Sequence, residues 1–384
     1  MCNDMEAGRP VGRATTILLE NGRRDLRTLP KAHLHLHMTG SQRKSTFVER
    51  CKKYNLAVPP FPEGLHFKEF SEFTALYDTC RKCIQKEEDL EQDIQNMAED
   101  AATEGVRYLE LSLTPNSFNR NVTPPTTDRL WEVIRKAVHQ AEEQFKVVIK
   151  IVVTLVRTNA GPYTAENSVE IAEDAVTQFK KDGLVVGLGL AGPENSNMPP
   201  DPYEACFKIG REGGLIICPH AGETDCMDFD GVQYMNTCLE FGSNRIGHGI
   251  AAQLSHNLPA AQKLRRNLRD GGVCLEICPT SNVKISKVKT YMDHPLPSFL
   301  AQGIACCLNS DDPLLFNMEN ASGLLQEFET CRREMGLTDE QLASLAMASF
   351  IHSGADEVLK KQALLDIDAW LKPPPKSLLG CPCQ

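Results

Sequence analysis

Three histidines at a spacing of two, His33, His35 and His37, lie in the short apolar run Lys31-Ala32-His33-Leu34-His35-Leu36-His37-Met38-Thr39-Gly40. Side chains alternate across a strand, so the imidazoles share one face while Leu34, Leu36 and Met38 share the other. An imidazole in a core without a metal or a hydrogen-bond partner costs free energy. The turn signal Thr39-Gly40-Ser41 follows, which places His35 and His37 at the strand end and His33 one layer deeper. Two neutral imidazoles on one face are half of a tetrahedral Zn²⁺ site, and candidates for the rest lie downstream. These are His220-Ala221-Gly222-Glu223, Gly247-His248-Gly249 and Ser310-Asp311-Asp312-Pro313. Three imidazoles and one carboxylate would hold one divalent cation and leave a position open for water. Zn²⁺ lowers the pKa of such a water to about 7 and supplies hydroxide at neutral pH. Glu223, three residues beyond a candidate ligand, is placed to move protons. His66, His139, His256, His294 and His352 fall in helix-like or loop stretches and read as surface or cap residues.

The elements needed to position these groups can be read as a rhythm. Apolar runs at 32–38, 106–113, 147–156, 184–191, 214–219, 244–247, 272–278 and 304–309 read as eight strands buried on both faces. Most are separated by helical patterns, such as Leu130, Ile134, Ala137, Ala141 and Phe145, or Val169, Ala172, Val176 and Phe179. Alternating strand and helix eight times predicts an α/β fold, a (β/α)₈ TIM barrel, with extra helices inserted between strands one and two. A doubly wound sheet would want a glycine-rich turn after an early strand, and none is present. The barrel gathers active-site residues at the carboxyl ends of its strands. His35, His37, His220, His248, Asp311 and Asp312 all fall there. Phe67, Phe70 and Phe73, spaced by three, predict a helix stripe packing as an apolar lid over the mouth. We divide the chain into an arm at 1–28, one barrel at 29–371 and a tail at 372–384.

Composition limits the partners. The 384 residues are 41% hydrophobic and 24% charged, ordinary for a globular chain, and 41 basic against 51 acidic residues gives a net charge of −10. An acidic chain without a basic block is a poor binder of nucleic acid. No apolar run is long enough to span a bilayer, and the polar start with Asp4 and Glu6 does not read as a signal peptide. Fifteen cysteines without a secretion signal point to free thiols in a reducing compartment, the cytoplasm. Cys80 and Cys83 form a CxxC within a helix-like stretch and do not read as a metal site. The terminal Cys381-Pro382-Cys383-Gln384 has the outline of a prenylation box but lacks aliphatic residues and a polybasic approach.

The motifs taken together resemble the adenosine deaminase branch of the metal-dependent amidohydrolases over about residues 29–355. They are His35 to Ser41, GLGLAGPE at 187–194, His220 to Glu223, Gly247 to Gly249, EICPTSN at 276–282 and LNSDDP at 308–313. The resemblance implies that His35, His37, His220 and Asp311 bind one Zn²⁺ per chain. It further implies that His248 orients the hydroxide, Glu223 protonates N1, Asp312 accepts from the purine N7 position and the Gly192 amide faces N3. The expected reaction is hydrolytic deamination of adenosine or 2′-deoxyadenosine by hydroxide attack on C6. The chain lacks the HxE and PCxxC pattern of the cytidine-deaminase type of zinc enzyme.

Three positions depart from the family pattern. Thr39 stands where an acidic residue usually contacts the sugar, Gly189 where Asp is frequent, and Ser112 where Arg is. They leave the metal ligands intact and direct attention to the substrate's far end. Adenine, a 5′-phosphorylated or N6-substituted adenosine, or another aminated heterocycle are the alternatives. Arg43 and Lys44 would either meet a phosphate there or be solvated. A non-catalytic, growth-factor-like relative is the rival from another class, and retention of every ligand and of Glu223 speaks against it. A two-metal amidase would want a lysine on the fourth strand, which has none.

Overall fold

Apolar runs too short to span more than a small barrel, each followed by a helix, leave one economical arrangement, in which parallel neighbours are joined by crossovers. The computed structural model has it. The structure describes residues 18–373 except 20, 21, 63, 65, 69, 116–126, 159–163 and 227. Strands β1 (Lys31–His37), β2 (Val106–Leu113), β3 (Val148–Val156), β4 (Val185–Ala191), β5 (Ile216–Ala221), β6 (Arg245–His248), β7 (Cys274–Ile277) and β8 (Cys306–Leu308) form one parallel sheet in sequence order. It closes just past β8, where Asp311 bridges Leu36. There the His37 amide donates to the Asp311 carbonyl at 2.9 Å and the Asp311 amide donates to the His35 carbonyl at 3.2 Å. Helices surround the sheet, as the alternating pattern predicts.

The extra helices between β1 and β2 are α1 (Lys44–Lys53), α2 (Phe70–Lys82) and α3 (Glu87–Thr103). The helix α2 begins at Phe70, not at Phe67, and the Phe67 amide donates to the Lys284 carbonyl at 2.9 Å. Phe67 meets Phe73 edge-on at 5.6 Å, and Phe73 stacks on Phe316 at 6.5 Å. With Phe47, Leu314 and Leu315 they form an apolar cluster against the loop that follows Asp311-Asp312. Cys80 and Cys83 are buried in the same cluster, with the Cys83 sulfur 3.4 Å from that of Cys51, so this CxxC works as apolar packing. Arg43, weighed as a phosphate ligand, is engaged by Asp100 at 2.6 Å and Glu99 at 2.6 Å on α3, while Lys44 pairs with Glu319 at 2.9 Å.

At the opposite end of the barrel Leu26, from the N-terminal arm, is fully buried in the main core. Arg24 donates to the Trp370 carbonyl at 3.0 Å and pairs with Asp339 at 3.0 Å, tying the first described residues to the last helix. The tail motif Cys381 to Gln384 lies outside the described residues. No helix among the described residues is long and apolar enough to cross a membrane.

Glu327, on the helix Leu324–Glu334, is fully buried and accepts from the Thr280 amide at 3.1 Å, capping the short helix Pro279–Lys284. Burial pushes its carboxyl up to about 8. A carboxyl whose folded pKa lies above its unfolded one holds its proton in the fold and loses it in the unfolded chain, so stability falls as pH rises between the two values. Glu327→Gln keeps the shape and the acceptor and removes that proton. Thermal melts should show the variant gaining on the parent as pH is raised from about 5 to about 8. A constant difference across that window would contradict this account.

Candidate metal centre and active site

The site is assembled by strand ends that the sequence cannot place without the barrel. Asn309, just past β8, accepts from the Leu34 and His35 amides at 2.8 and 3.0 Å, and so fixes the register of β1 against the closing strand. His33 then falls one layer down, where its Nε2 accepts from the Ser310 amide at 3.1 Å. It is a core histidine held through Nε2 alone, with Nδ1 buried and unpartnered, and burial keeps it neutral by pulling its pKa to about 3. His35 and His37 rise to the rim beside His220 at the end of β5. Gly247, at the end of β6, leaves the necessary room, since a Cβ there would lie 2.9 Å from the His35 ring.

One ligand atom from each of His35, His37, His220 and Asp311 lies within 4.8 Å of the others. The Nε2 atoms of His37 and His220 are 3.0 Å apart, and Asp311 Oδ1 lies 3.2 Å from Nε2 of both His35 and His37. Bonds of 2.0–2.1 Å in a tetrahedron put ligand atoms about 3.3 Å apart, close to these spacings. Buried Nε2 of His35 makes no hydrogen bond despite its short distance to Asp311. Two groups aimed at a common centre, not at each other, behave this way. Burial works against a charged His35, but the nearby carboxylates of Asp311 and Glu276 overcome it and raise this imidazole to about 10. Burial likewise opposes ionisation of Asp311, and His35 and His37 hold it well below the usual carboxylate range. A field that draws a proton onto an imidazole at this point would equally draw a divalent cation, and the donor set of three nitrogens and one oxygen fits zinc.

The catalytic candidates surround this centre. Glu223, His248 and Asp311 also present atoms within 4.8 Å of one another, and Glu223 Oε1 is 3.5 Å from His248 Nε2. Burial and the charge of Asp311 push Glu223 up to about 7. Burial pulls His248 down to about 4, so the ring is neutral. Asp312 has its Oδ1 buried and unpartnered, and burial together with Asp311 lifts it to about 7. Gly40 supports it: a Cβ at Gly40 would sit 1.8 Å from Asp312 Oδ1 and 2.7 Å from its Cβ. The turn glycine is therefore required by packing as well as by the chain reversal. Thr39 is buried beside the Tyr77 phenol from α2, a neighbour with no signal in the sequence. Gly192, just past β4, has its carbonyl held by the Arg157 guanidinium, which also binds the His220 carbonyl. Of the departures, Ser112 pairs with His37 in the β1–β2 register and Gly189 with Cys218, two residues before His220.

Behind the rim lies a second layer that residue spacing does not reveal. His35 Nδ1 donates to Glu276 at 2.8 Å, Glu276 is held by Arg245 at 2.5 Å, and Arg245 binds Glu110. A carboxylate on the far nitrogen of a ligating imidazole fixes its tautomer and its aim. His294, read from sequence as a surface or cap residue, is instead 3% exposed and stands behind His248 through Asn282. The misreading follows from its loop position, where burial comes from distant chain segments.

A parallel eight-stranded barrel with three imidazoles and an aspartate converging at its carboxyl rim defines a metal-dependent hydrolase of the amidohydrolase type. The family profile described as adenosine deaminase matches residues 30–370, and the chain belongs to that family. It is 31% identical over 354 residues to an aminodeoxyfutalosine deaminase of Streptomyces avermitilis, covering 90% of this chain and 93% of that one. It is 27% identical over 356 residues to an adenosine deaminase of Clostridium perfringens, covering 89% and 99%. The crystal structure of an adenine deaminase from Arthrobacter aurescens superposes with a TM-score of 0.76 at 25% identity, covering 90% of this chain and 99% of that one. An N6-mAMP deaminase from Arabidopsis shares the fold with a TM-score of 0.73 at 23% identity, covering 90% and 99%. The chain is thus a metal-dependent hydrolytic aminohydrolase.

Replacing Glu276 by Gln turns one side-chain atom from acceptor to donor while Arg245 and His35 both still present donors. Chelator competition should show zinc affinity lowered by about 10- to 100-fold, the usual cost of losing a carboxylate behind a ligating imidazole. Unchanged affinity would mean that the aim of His35 does not depend on Glu276.

Proposed function

We propose that this chain catalyses the zinc-dependent hydrolytic deamination of adenosine or 2′-deoxyadenosine to inosine or 2′-deoxyinosine and ammonia. His35, His37, His220 and Asp311 hold one Zn²⁺ per chain. The observation that carries the reading is the convergence of three imidazole nitrogens and a carboxylate oxygen within 4.8 Å, beside a Glu223 carboxyl held near neutrality. Zinc there would lower the pKa of a bound water to about 7 and so supply the nucleophile.

The remaining work belongs to the chain's own residues. Addition of oxygen to C6 pushes electrons onto N1, and Glu223 supplies the proton that N1 then needs. A carboxyl raised to about 7 carries that proton at neutral pH, where an ordinary glutamate would not. His248, neutral and buried, directs the attacking oxygen. Asp312 faces N7. Sequence resemblance implies an acceptor at this position, but the elevated pKa supports a neutral carboxyl that donates to the N7 lone pair. The Gly192 amide faces N3. Glu223, left as a carboxylate once N1 is protonated, moves the proton of the added hydroxyl to the amine; C6 then expels ammonia and becomes a carbonyl, so one water has been consumed and one ammonia released.

The matched relatives are named as deaminases of adenosine, adenine and aminodeoxyfutalosine, which supports the reaction and leaves the substrate's far end open to this chain's own residues. A second reading changes only that far end. Thr39 has no carboxyl and is buried beside Tyr77, so it offers no acid to a sugar hydroxyl. Adenine, a 5′-phosphorylated or N6-substituted adenosine, or another aminated heterocycle then takes the nucleoside's place. The described cysteines are all free thiols, which supports the cytoplasm as the site of action.

Ammonia release from a panel of aminopurines, nucleosides and nucleotides tests the reaction and chooses between the two readings. Activity on adenosine and 2′-deoxyadenosine is expected, and silence across the panel would overturn the proposal. Glu223→Gln should keep its zinc and its ground-state affinity for the nucleoside while kcat falls by a factor on the order of 10² to 10⁴. Loss of zinc would make Glu223 a ligand, and near-native turnover would give its proton work to another group.

A further inference from the structure

We propose that Asn282 and His294 are positioning residues that lock His248 in the tautomer carrying its proton on Nε2, so that this ring offers the reaction centre a donor and never a base. The inference rests on the deaminase reading of the site and adds to it two residues that touch neither the metal ligands nor the substrate position.

The Leu296 amide donates to His294 Nδ1 at 3.1 Å. A backbone N–H can only donate, so Nδ1 carries a lone pair and the proton of the neutral ring is on Nε2. His294 is 3% exposed, and burial pulls its pKa to about 3, which keeps it neutral. Its Nε2–H lies 3.2 Å from Asn282 Oδ1. That contact orients the amide: Oδ1 faces His294, so the NH₂ faces the other way. It meets His248 Nδ1 at 3.1 Å. Turning the amide over would set its N–H against the Nε2–H of His294, in a place where Asn282 has no solvent exposure. Nδ1 of His248 must therefore accept, and its single proton is on Nε2.

That nitrogen points to the working side of the ring, 3.5 Å from Glu223 Oε1. The ring itself is wedged against His35 and His220, with centroids 5.2 and 5.3 Å away, and its backbone takes the left-handed conformation at φ 61°. Aim and proton are both fixed before substrate arrives. A donor at this point can hold an oxygen lone pair and direct the nucleophile toward C6. It cannot take the proton that the water gives up, which leaves Glu223 as the group that cycles protons. The chain of three hydrogen bonds starts from a main-chain amide, which has no second state.

Asn282→Asp tests the lock, because a carboxylate accepts on both sides and obliges His248 to place a proton on Nδ1. In ¹⁵N-histidine spectra of the zinc-loaded protein, the parent should show His248 protonated on Nε2 and bare on Nδ1, and the variant should show Nδ1 protonated. Zinc content and KM should hold while kcat falls by a factor on the order of 10² to 10⁴, the scale on which a wrong histidine tautomer acts elsewhere. His294→Gln returns an amide N–H toward Asn282 and should keep most of the turnover, whereas His294→Leu should lose it. This pair carries the test if Asn282→Asp does not fold. A parent His248 protonated on Nδ1, an Asn282→Asp protein with native kcat, or equal rates for the two His294 variants would overturn the proposal. The spectra need no substrate, so a parent inactive on every aminopurine would remove the functional reading without touching the tautomer result.

Discussion

The top of this barrel depends on Asp311, where the backbone that closes the sheet also aims a carboxylate at three imidazoles. Its amide and carbonyl complete the ladder to His35 and His37, and its side chain lies 3.2 Å from both of their Nε2 atoms. To do both it takes a left-handed backbone at φ 62°, a conformation that costs a non-glycine residue on the order of 1 kcal/mol or more. Such a conformation persists where surrounding bonds over-determine it, and here two ladder bonds do so. His248 is left-handed at the end of β6 in the same way. Two strained residues at two strand ends, both facing the metal centre, are what a site positioned by closure of the barrel would be expected to show.

The interior beneath the rim carries buried charge. Arg245, fully buried, lies between Glu110 and Glu276, and Tyr108 donates to Glu110 at 3.0 Å. Taking an arginine and two carboxylates out of water is costly, and their mutual attraction offsets that cost only while all three are present. Their value lies in position. The Gly354 amide donates to Glu110 at 2.8 Å, and the His352 carbonyl accepts from Arg245 at 2.8 Å, so the network runs from the loop after the helix Asp339–Ile351 up to His35. Both imidazoles with assigned partners behind them, His35 and His248, are held by buried networks that end on main-chain groups.

Much of this was legible in the residues. Alternation across β1 put His35 and His37 on one face, the run of apolar strands implied a barrel, and the barrel gathered His220, His248, Asp311 and Asp312 at one rim. The roles of Glu276, His294 and Tyr77 were not legible, for a common reason. His35 and Glu276 are 241 residues apart in sequence, and neither spacing nor periodicity encodes a hydrogen bond over that distance. His294 has the sequence neighbours of a surface loop and the environment of a core. Of the stripe Phe67, Phe70 and Phe73, the rings of Phe67 and Phe73 do share one apolar cluster, but the helix starts only at Phe70, while the Phe70 side chain lies outside the described residues. Arg43 shows the converse: its charge was visible, but its capture by Asp100 and Glu99 depended on the packing of α3.

The account turns on one claim, that four residues from three strands converge on a single zinc. Crystals of the protein purified without added metal, measured on both sides of the zinc absorption edge, test it directly. The account predicts one anomalous peak per chain, about 2.0–2.2 Å from Nε2 of His35, His37 and His220 and from a carboxylate oxygen of Asp311. A second peak beside the first, a peak bonded to Glu223, or none at this rim would contradict it.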